Sequence, residues 1–419
     1  MSATIIKAER KGITVQLFIP IPEGKENMSM LEREELIRQG VNQAGQLATE
    51  YALSQFDTDG TPITVKGKKH TTKGQVSKAY QTPYGEVVLC RHVYQTNEGG
   101  CTFCPLDNDA RIITGATPKL SKMVSSKYSE SGATHVQKDL ETNHGRHLSK
   151  HYIQSLSRSI GSLIAEKKNW NYDIDVSGDH VKTVSISLDG TCMLLCNDGY
   201  RQAMVGSISL YYFGGERLYT RYTALPPEYG KEQFYKAFDH EIKSVHKLYP
   251  NAGYVGVADG AADNWTFLQS RVDEQILDFF HASEYLSKAS KAAFKHPDQA
   301  NGWFQKACHT LKEEKDGAEL VLRQMQAFKN GKIKEDKKEI IQSSITYFTN
   351  HRHQMNYWKY KQNNWPIGSG VIEAACKVII KQRLCNSSMK WTDNGARIVM
   401  ALRCFNKYLS IYNHVILDK

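Results

Sequence analysis

Between Val181 and Leu286 the chain sets extended and helical patterns in an order that few architectures accommodate. "VKTVSISLDG" alternates apolar with small polar residues, the pattern of a half-buried strand, and finishes on an acid. "YRQAMVGSISLYYF" and "RLYTRYTAL" read as the next two strands, and "PEYGKEQFYKAFDHEIKSVHKLY" as an amphipathic helix. "YVGVADGAADNW" is a short strand that again ends in an acid, and "ILDFFHASEYL" is one more strand running into a helix. Residues 282–360 then carry helical patterning with no strand signal, and "WPIGSGVIEAACKVIIKQRL" is a late helix with one carboxylate near its start. The order β-β-β-α-β-α-β, then helices, predicts an α/β fold: a mixed sheet flanked by helices and interrupted by an all-helical insertion.

The N-terminal part is less regular. "TIIKAERKG" and "ITVQLFIPI" read as two short strands with a turn between them, and residues 29–56 have helical spacing. "TVKGKKHTTKGQVSKAYQTPYGEVVLCRHVY" is rich in lysine, threonine and glycine and reads as a basic loop leading into a strand over Gly85–Tyr94. A turn-rich connection, "GGCTFCPLDNDARIITGATPKL", follows. From about Ser121 to Asn169 the pattern is helical and splits at "NHGRHLS", where Gly145 ends one helix and Ser149 caps the next. The second of these helices bears Lys150, His151, Gln154 and Arg158. The pair suits a DNA-reading helix-turn-helix and equally an ordinary helical hairpin. The expected segments are 1–118 (α+β), 119–180 (helical), 181–281 (first part of the sheet core), 282–364 (helical insertion) and 365–419 (closing helices).

A chain of 419 residues can hold two or three domains. Its 54 lysines and arginines against 44 acids recur throughout, often beside aromatics, which suits an extended basic surface for a polyanion better than a basic tail. No run of eighteen apolar residues occurs, so a membrane span is not expected. "MSATIIKAERKGITVQLF" has charges where a secretory signal needs its apolar segment. Nine scattered cysteines suit reduced thiols, and the expected location is the cytoplasm.

Three acids carry the chemistry. "SLDGT" supplies Asp189 and "VADGA" supplies Asp259; carboxylates at the carboxyl ends of neighbouring strands of an α/β sheet face one crevice. Each Asp-Gly has a second meaning, a plain turn after a strand. Asp263 competes with Asp259 but reads better as the cap of the helix beginning near Asn264. Glu373 leads a polar stripe with Lys377 and Lys381 at spacings of four, which by itself describes a surface ion-pair row. If the three acids converge, their repulsion calls for cations, and Mg²⁺ or Mn²⁺ fits an all-oxygen set. Two such ions, about 3.5–4 Å apart, serve in-line phosphoryl displacement.

The chain resembles the Kra-type insertion-sequence transposases, bacterial relatives of the Mutator-like group. The resemblance rests on "SISLDGT", "VGVADGAADNW", "ILDFFHASEYL" and "WPIGSGVIEAACKVIIKQRLCNSSMKW", with "YQTPYGEVVLCRHVYQ", "CPLDNDARII" and "ETNHGRHLSKHYIQSLS" upstream. It implies an RNase H-like core with Asp189, Asp259 and Glu373 as its acidic triad. It also implies Mg²⁺-dependent cleavage and strand transfer on double-stranded DNA (terminal repeats and target), a homodimer or larger assembly, and a nucleoid-associated location. In "DFFH", Asp278 and His281 match that group's C/D-x-x-H signature and take a supporting role. Two rivals stand: a catalytically retired DNA-binding descendant, and a structure-specific RNase H-like nuclease.

Two further clusters have double meanings. Cys90, His92, Cys101 and Cys104 offer four zinc ligands in fifteen residues, but Cys90 and His92 share one strand face, a strained grip on one ion. "FTNHRHQMNYWKYKQNNW" interleaves basic and aromatic residues, so Tyr357 or Trp358 is a candidate base-stacking platform or simply core packing. Arg383, Lys390 and Trp391, with Lys377 and Lys381, are candidate DNA contacts.

Overall fold

In the computed structural model the described residues are 2–9, 12–21, 28–166, 174, 176–228, 231–331, 334–386 and 389–406. The turn expected after Glu9 and the end of the closing helix beyond 406 lie outside them. Residues 1–172 with 397–419 form one compact unit, and residues 173–396 another. The expected segments 1–118 and 119–180 thus fall largely in one unit, while 365–419 is divided between the two.

In the first unit, the strands β1 (Ser2–Glu9) and β2 (Gly12–Phe18) pair and lie against α1 (Met30–Ser54). Ser29 starts α1 with a reciprocal cap: its hydroxyl accepts from the Glu32 amide at 3.3 Å, and the Glu32 carboxylate accepts from the Ser29 amide at 2.8 Å. The strands β3 (Ile63–Val65), β4 (Lys68–Gln81), β5 (Glu86–Thr96) and β6 (Gly99–Phe103) form an antiparallel meander. The lysine-rich "loop" is therefore strand. β4 pairs with β5 from Thr71↔Gln95 to Gln81↔Glu86, so the ladder satisfies its backbone while its polar side chains stay in water. α2 (Pro105–Asp109) brings Leu106 and Ala110 onto Tyr80, Val87 and Leu89. Next come α3 (Pro118–Glu130), α4 (Ala133–His144) and α5 (Lys150–Glu166), packed on one another. Gly145, at φ 62°, closes α4 in the left-handed region, and the Ser149 hydroxyl accepts from the Tyr152 amide at 3.1 Å, as the sequence predicts.

In the second unit, β7 (Thr183–Leu195), β8 (Gly199–Tyr211) and β9 (Arg217–Leu225) form an antiparallel meander. α6 (Glu232–Leu248) leads to β10 (Gly253–Ala258), and α7 (Ala262–Leu268) to β11 (Glu274–Leu277). The sheet order is β11-β10-β7-β8-β9, with β10 parallel to both β7 and β11, so the fold is mixed α/β. α8 (Phe279–Ala293), α9 (Pro297–Glu313), α10 (Gly317–Lys329), α11 (Glu335–His351) and α12 (Tyr357–Gln362) follow as the helical stretch. They are no separate globule: Leu286, Leu311, Met325 and Phe348 share a single core with Val184, Ile186 and Leu188 of the sheet. α13 (Gly370–Ala375) runs through a π-helical segment (Cys376–Lys381) into α14 (Gln382–Leu384). α15 (Asp393–Asn406) closes the described chain. Its buried Arg403 belongs to the first unit, where it donates to the Ser129 carbonyl at 2.7 Å.

Strand alternation assigns the two faces of this sheet. Leu188 lies opposite Gly206 in the ladder, and a Cβ on Gly206 would sit 2.6 Å from the Phe238 ring, so α6 covers that face. Asp189 points to the other face, where Cys376 of the π segment meets it. Phe238 stacks on Phe234 and Phe267 and has nowhere to retreat. Gly206→Ala should therefore cost about 1–3 kcal/mol by overpacking. Denaturant unfolding checks this, and trimming the ring in Gly206→Ala/Phe238→Leu should recover part of the loss.

Candidate active site

The parallel ladders set the site. Their last pairs are Val257↔Ser187 between β10 and β7, and Ala258↔Leu277 between β10 and β11. Continuing each register brings Asp189, Asp259 and Asp278 abreast on three adjacent strands, about 4.8 Å apart per strand. Asp189 does not end its strand, contrary to the sequence reading, because β7 continues to Leu195 paired with β8. It lies where the parallel neighbour stops, which opens the same crevice.

Burial pushes the Asp189 carboxyl above its ordinary range, and the neighbouring Asp259 charge adds to the rise. The Gly190 amide at 2.6 Å and the Cys376 thiol at 3.6 Å donate to it and, with His281, act in the opposite direction. Asp259 Oδ1 accepts from the Ala261 amide at 3.1 Å and from Asn264 Nδ2 at 3.2 Å, while the Tyr347 hydroxyl holds its carbonyl at 3.0 Å. The turn after it needs glycine: Gly260 has φ 101°, and a Cβ there would lie 3.0 Å from the Tyr347 oxygen.

Glu373 sits in the first turn of α13 and, with Asp189, lines an open cleft of about 830 Å³. Lys377, Lys381, Thr191 and Cys376 line the same cleft. The π-helical segment beneath Asp189 is the kind of irregularity that recurs at functional sites. Glu373 is also held from the other side. Ser369 Oγ lies 2.9 Å from Glu373 Oε1 and makes a short hydrogen bond to Asp278 Oδ2. Asp278 is fully buried and caps α8, its Oδ1 accepting from the Phe280 amide at 2.7 Å. Among the described residues, the three candidate ligand atoms gathered within 4.8 Å of one another belong to Asp278, His281 and Glu373. The two strand aspartates thus stand side by side, and Glu373 lines a cleft with Asp189 while its carboxylate gathers with Asp278 and His281.

Other expected site residues lie elsewhere. Tyr357 is fully buried, its hydroxyl on the Leu277 carbonyl at 2.9 Å and its ring edge-on to Phe279, so it is no stacking platform. Trp358 is exposed on α12. Arg383, 2% exposed, packs on Trp391 and is closed to a DNA backbone. Trp391 itself donates its indole N–H to Leu384 and bridges to Leu195, a structural role. Lys390 is exposed, as are Lys150, His151 and Arg158 on α5, with Gln154 partly covered. Asp263 is not the cap of α7 but an exposed first-turn residue paired with Lys231 at 3.7 Å. The zinc ligands do not gather. His92 is tied to Asp57 at 3.0 Å, and Cys104 sits beside Arg91, the next residue along β5 and so on its other face. Sequence reasoning missed Ser369, Cys376, Asn264 and Tyr347. The first two carried a signal, standing one helical turn before and after Glu373.

The tightest ligand cluster among the described residues is Asp278, His281 and Glu373, while Glu373 shares a cleft with the raised carboxyl of Asp189, and both offer the hard oxygen that a divalent cation prefers. Because the folded carboxyl keeps its proton where the unfolded one has lost it, stability falls as pH rises from 3.8 through the elevated value. In chelator, Asp189→Asn should melt higher than wild type at neutral pH, with the gap closing as pH drops below that window. Adding Mg²⁺ should raise the wild-type melting temperature more than the variant's. No family profile and no curated protein matches this chain.

Proposed function

We propose that the chain is a DDE-type transposase of a bacterial insertion sequence: a metal-dependent polynucleotidyl transferase that cuts DNA at the ends of its element and joins the freed 3′-hydroxyls to a target. The observation that carries this reading is the parallel register that sets Asp189 beside Asp259 where the β7–β10 ladder ends, with Glu373 lining the same cleft as Asp189. A three-stranded meander continued by two parallel crossover strands is also the sheet that an RNase H-like core requires.

In this reading Asp189, Asp259 and Glu373 hold the cations, Cys376 and Gly190 fix the Asp189 carboxylate, and Asn264 fixes Asp259. Bound divalent ions supply Lewis acidity at a phosphate oxygen and a water nucleophile at neutral pH. Lys377 and Lys381 line the same cleft and neutralise the strand backbone that enters it. The exposed row Lys150, His151 and Arg158 on α5, carried by a helix-turn-helix-like pair, serves recognition of the element's ends. Double-stranded DNA is the substrate, and pairing of two ends calls for a homodimer or larger assembly.

The test uses purified protein and duplexes carrying the inverted repeats that flank its coding sequence. Asp189→Ala, Asp259→Ala or Glu373→Ala should each lower Mg²⁺-dependent cleavage and joining by about 10²–10³-fold or more while leaving DNA binding intact. Cleavage without joining would favour the nuclease reading, and binding alone the retired one. Lys377→Ala and Lys381→Ala should each reduce the slope of log affinity against log salt by about 1, measured by fluorescence anisotropy.

A further inference from the structure

The residue preceding α13 is a serine that does not cap its helix. A serine at an N-cap normally accepts from an amide in the first turn, but the Ser369 hydroxyl makes no such bond. It is 4% exposed and lies between two carboxylates, Asp278 Oδ2 on one side and Glu373 Oε1 at 2.9 Å on the other. A hydroxyl has one proton to donate, so it serves one carboxylate at a time and turns a lone pair toward the other. Asp278 is the fully buried member and is fixed twice, by the hydroxyl and by the Phe280 amide. Glu373 is the exposed member, and its charge faces the cleft.

We propose that Ser369 is the positioning residue for Glu373, coupling it to buried Asp278 so that the glutamate stands ready for a divalent cation shared with Asp189. The inference rests on the reading of the acids as metal ligands. With a cation on Glu373, the Ser369 hydroxyl would keep its proton and donate its hydrogen bond to Asp278 alone, so ligand placement and the buried hydrogen bond reinforce each other. Partners behind a metal ligand typically contribute 10–100-fold to affinity. "DFFH" and "GSGVIE" are then one unit, with the strand-borne aspartate steering the helix-borne glutamate through a single hydroxyl.

The test compares Ser369→Thr with Ser369→Val in the full-length protein, since these side chains share a shape and differ by the hydroxyl. Mn²⁺ binding is followed by calorimetry without DNA, and the Mg²⁺ concentration for half-maximal cleavage with it. The threonine variant should stay near wild type. The valine variant should bind Mn²⁺ about 10-fold more weakly, with the Mg²⁺ requirement shifted by the same factor and KM for DNA unchanged. Equal Mn²⁺ binding by the two variants overturns the assignment, as does a wild type that binds no Mn²⁺. A wild type that binds Mn²⁺ yet cleaves no DNA, with the valine variant still weakened, sinks the transposase reading and leaves Ser369 as a positioning residue.

Discussion

The parallel hydrogen-bond registers between β7, β10 and β11 are the constraint on which the rest depends. Side chains alternate along a strand, so a slip of one residue in either ladder would turn a carboxylate from the crevice face to the face that α6 covers. The register is secured by burial on both faces: Val184, Ile186, Val255, Val257 and Ile276 all lie in the core. A rigid, apolar and well-paired layer thus ends in a row of acids. The energetic tension of that row is visible in Asp189, whose carboxyl is pushed above its ordinary range by burial and by the charge of its neighbour.

Glu373 answers a different demand. Asp278, the third acid of the row, is buried and engaged in capping α8, whereas an acid on a helix stays exposed to the cleft. The Cys376 contact to Asp189 and the Ser369 contact to Asp278 tie that helix to the strand acids at points on either side of the glutamate. The glutamate stays exposed while its surroundings are fixed.

The five strands of the mixed sheet and the helices between them were legible in the sequence because their apolar residues recur at strand or helix spacing, and β10 and β11 each stop just before an acid. The lysine-rich β4 was not, since its composition reports solvent exposure and its conformation is decided by pairing with β5 from Thr71 to Gln81. The end of β7 was misplaced because Asp-Gly is a turn signal in isolation, and only the ladder with β8 shows that the chain goes straight on. Aromatic and basic residues were the least readable. Tyr357 and Arg383 sit in stretches that look like surface, yet one is locked to a strand carbonyl and the other to an indole. Periodicity finds faces; it does not say which face a tertiary neighbour occupies.

The bond from the Tyr357 hydroxyl to the Leu277 carbonyl has a wider consequence. Leu277 immediately precedes Asp278, and Tyr347 from α11 braces Asp259 in the same manner. Two phenols from the helical stretch therefore buttress the backbone beneath two of the strand acids. Excising those helices would do more than shorten the chain: it would remove the lateral wall against which the acidic edge is held, and a core trimmed to its sheet would inherit the carboxylates without their alignment.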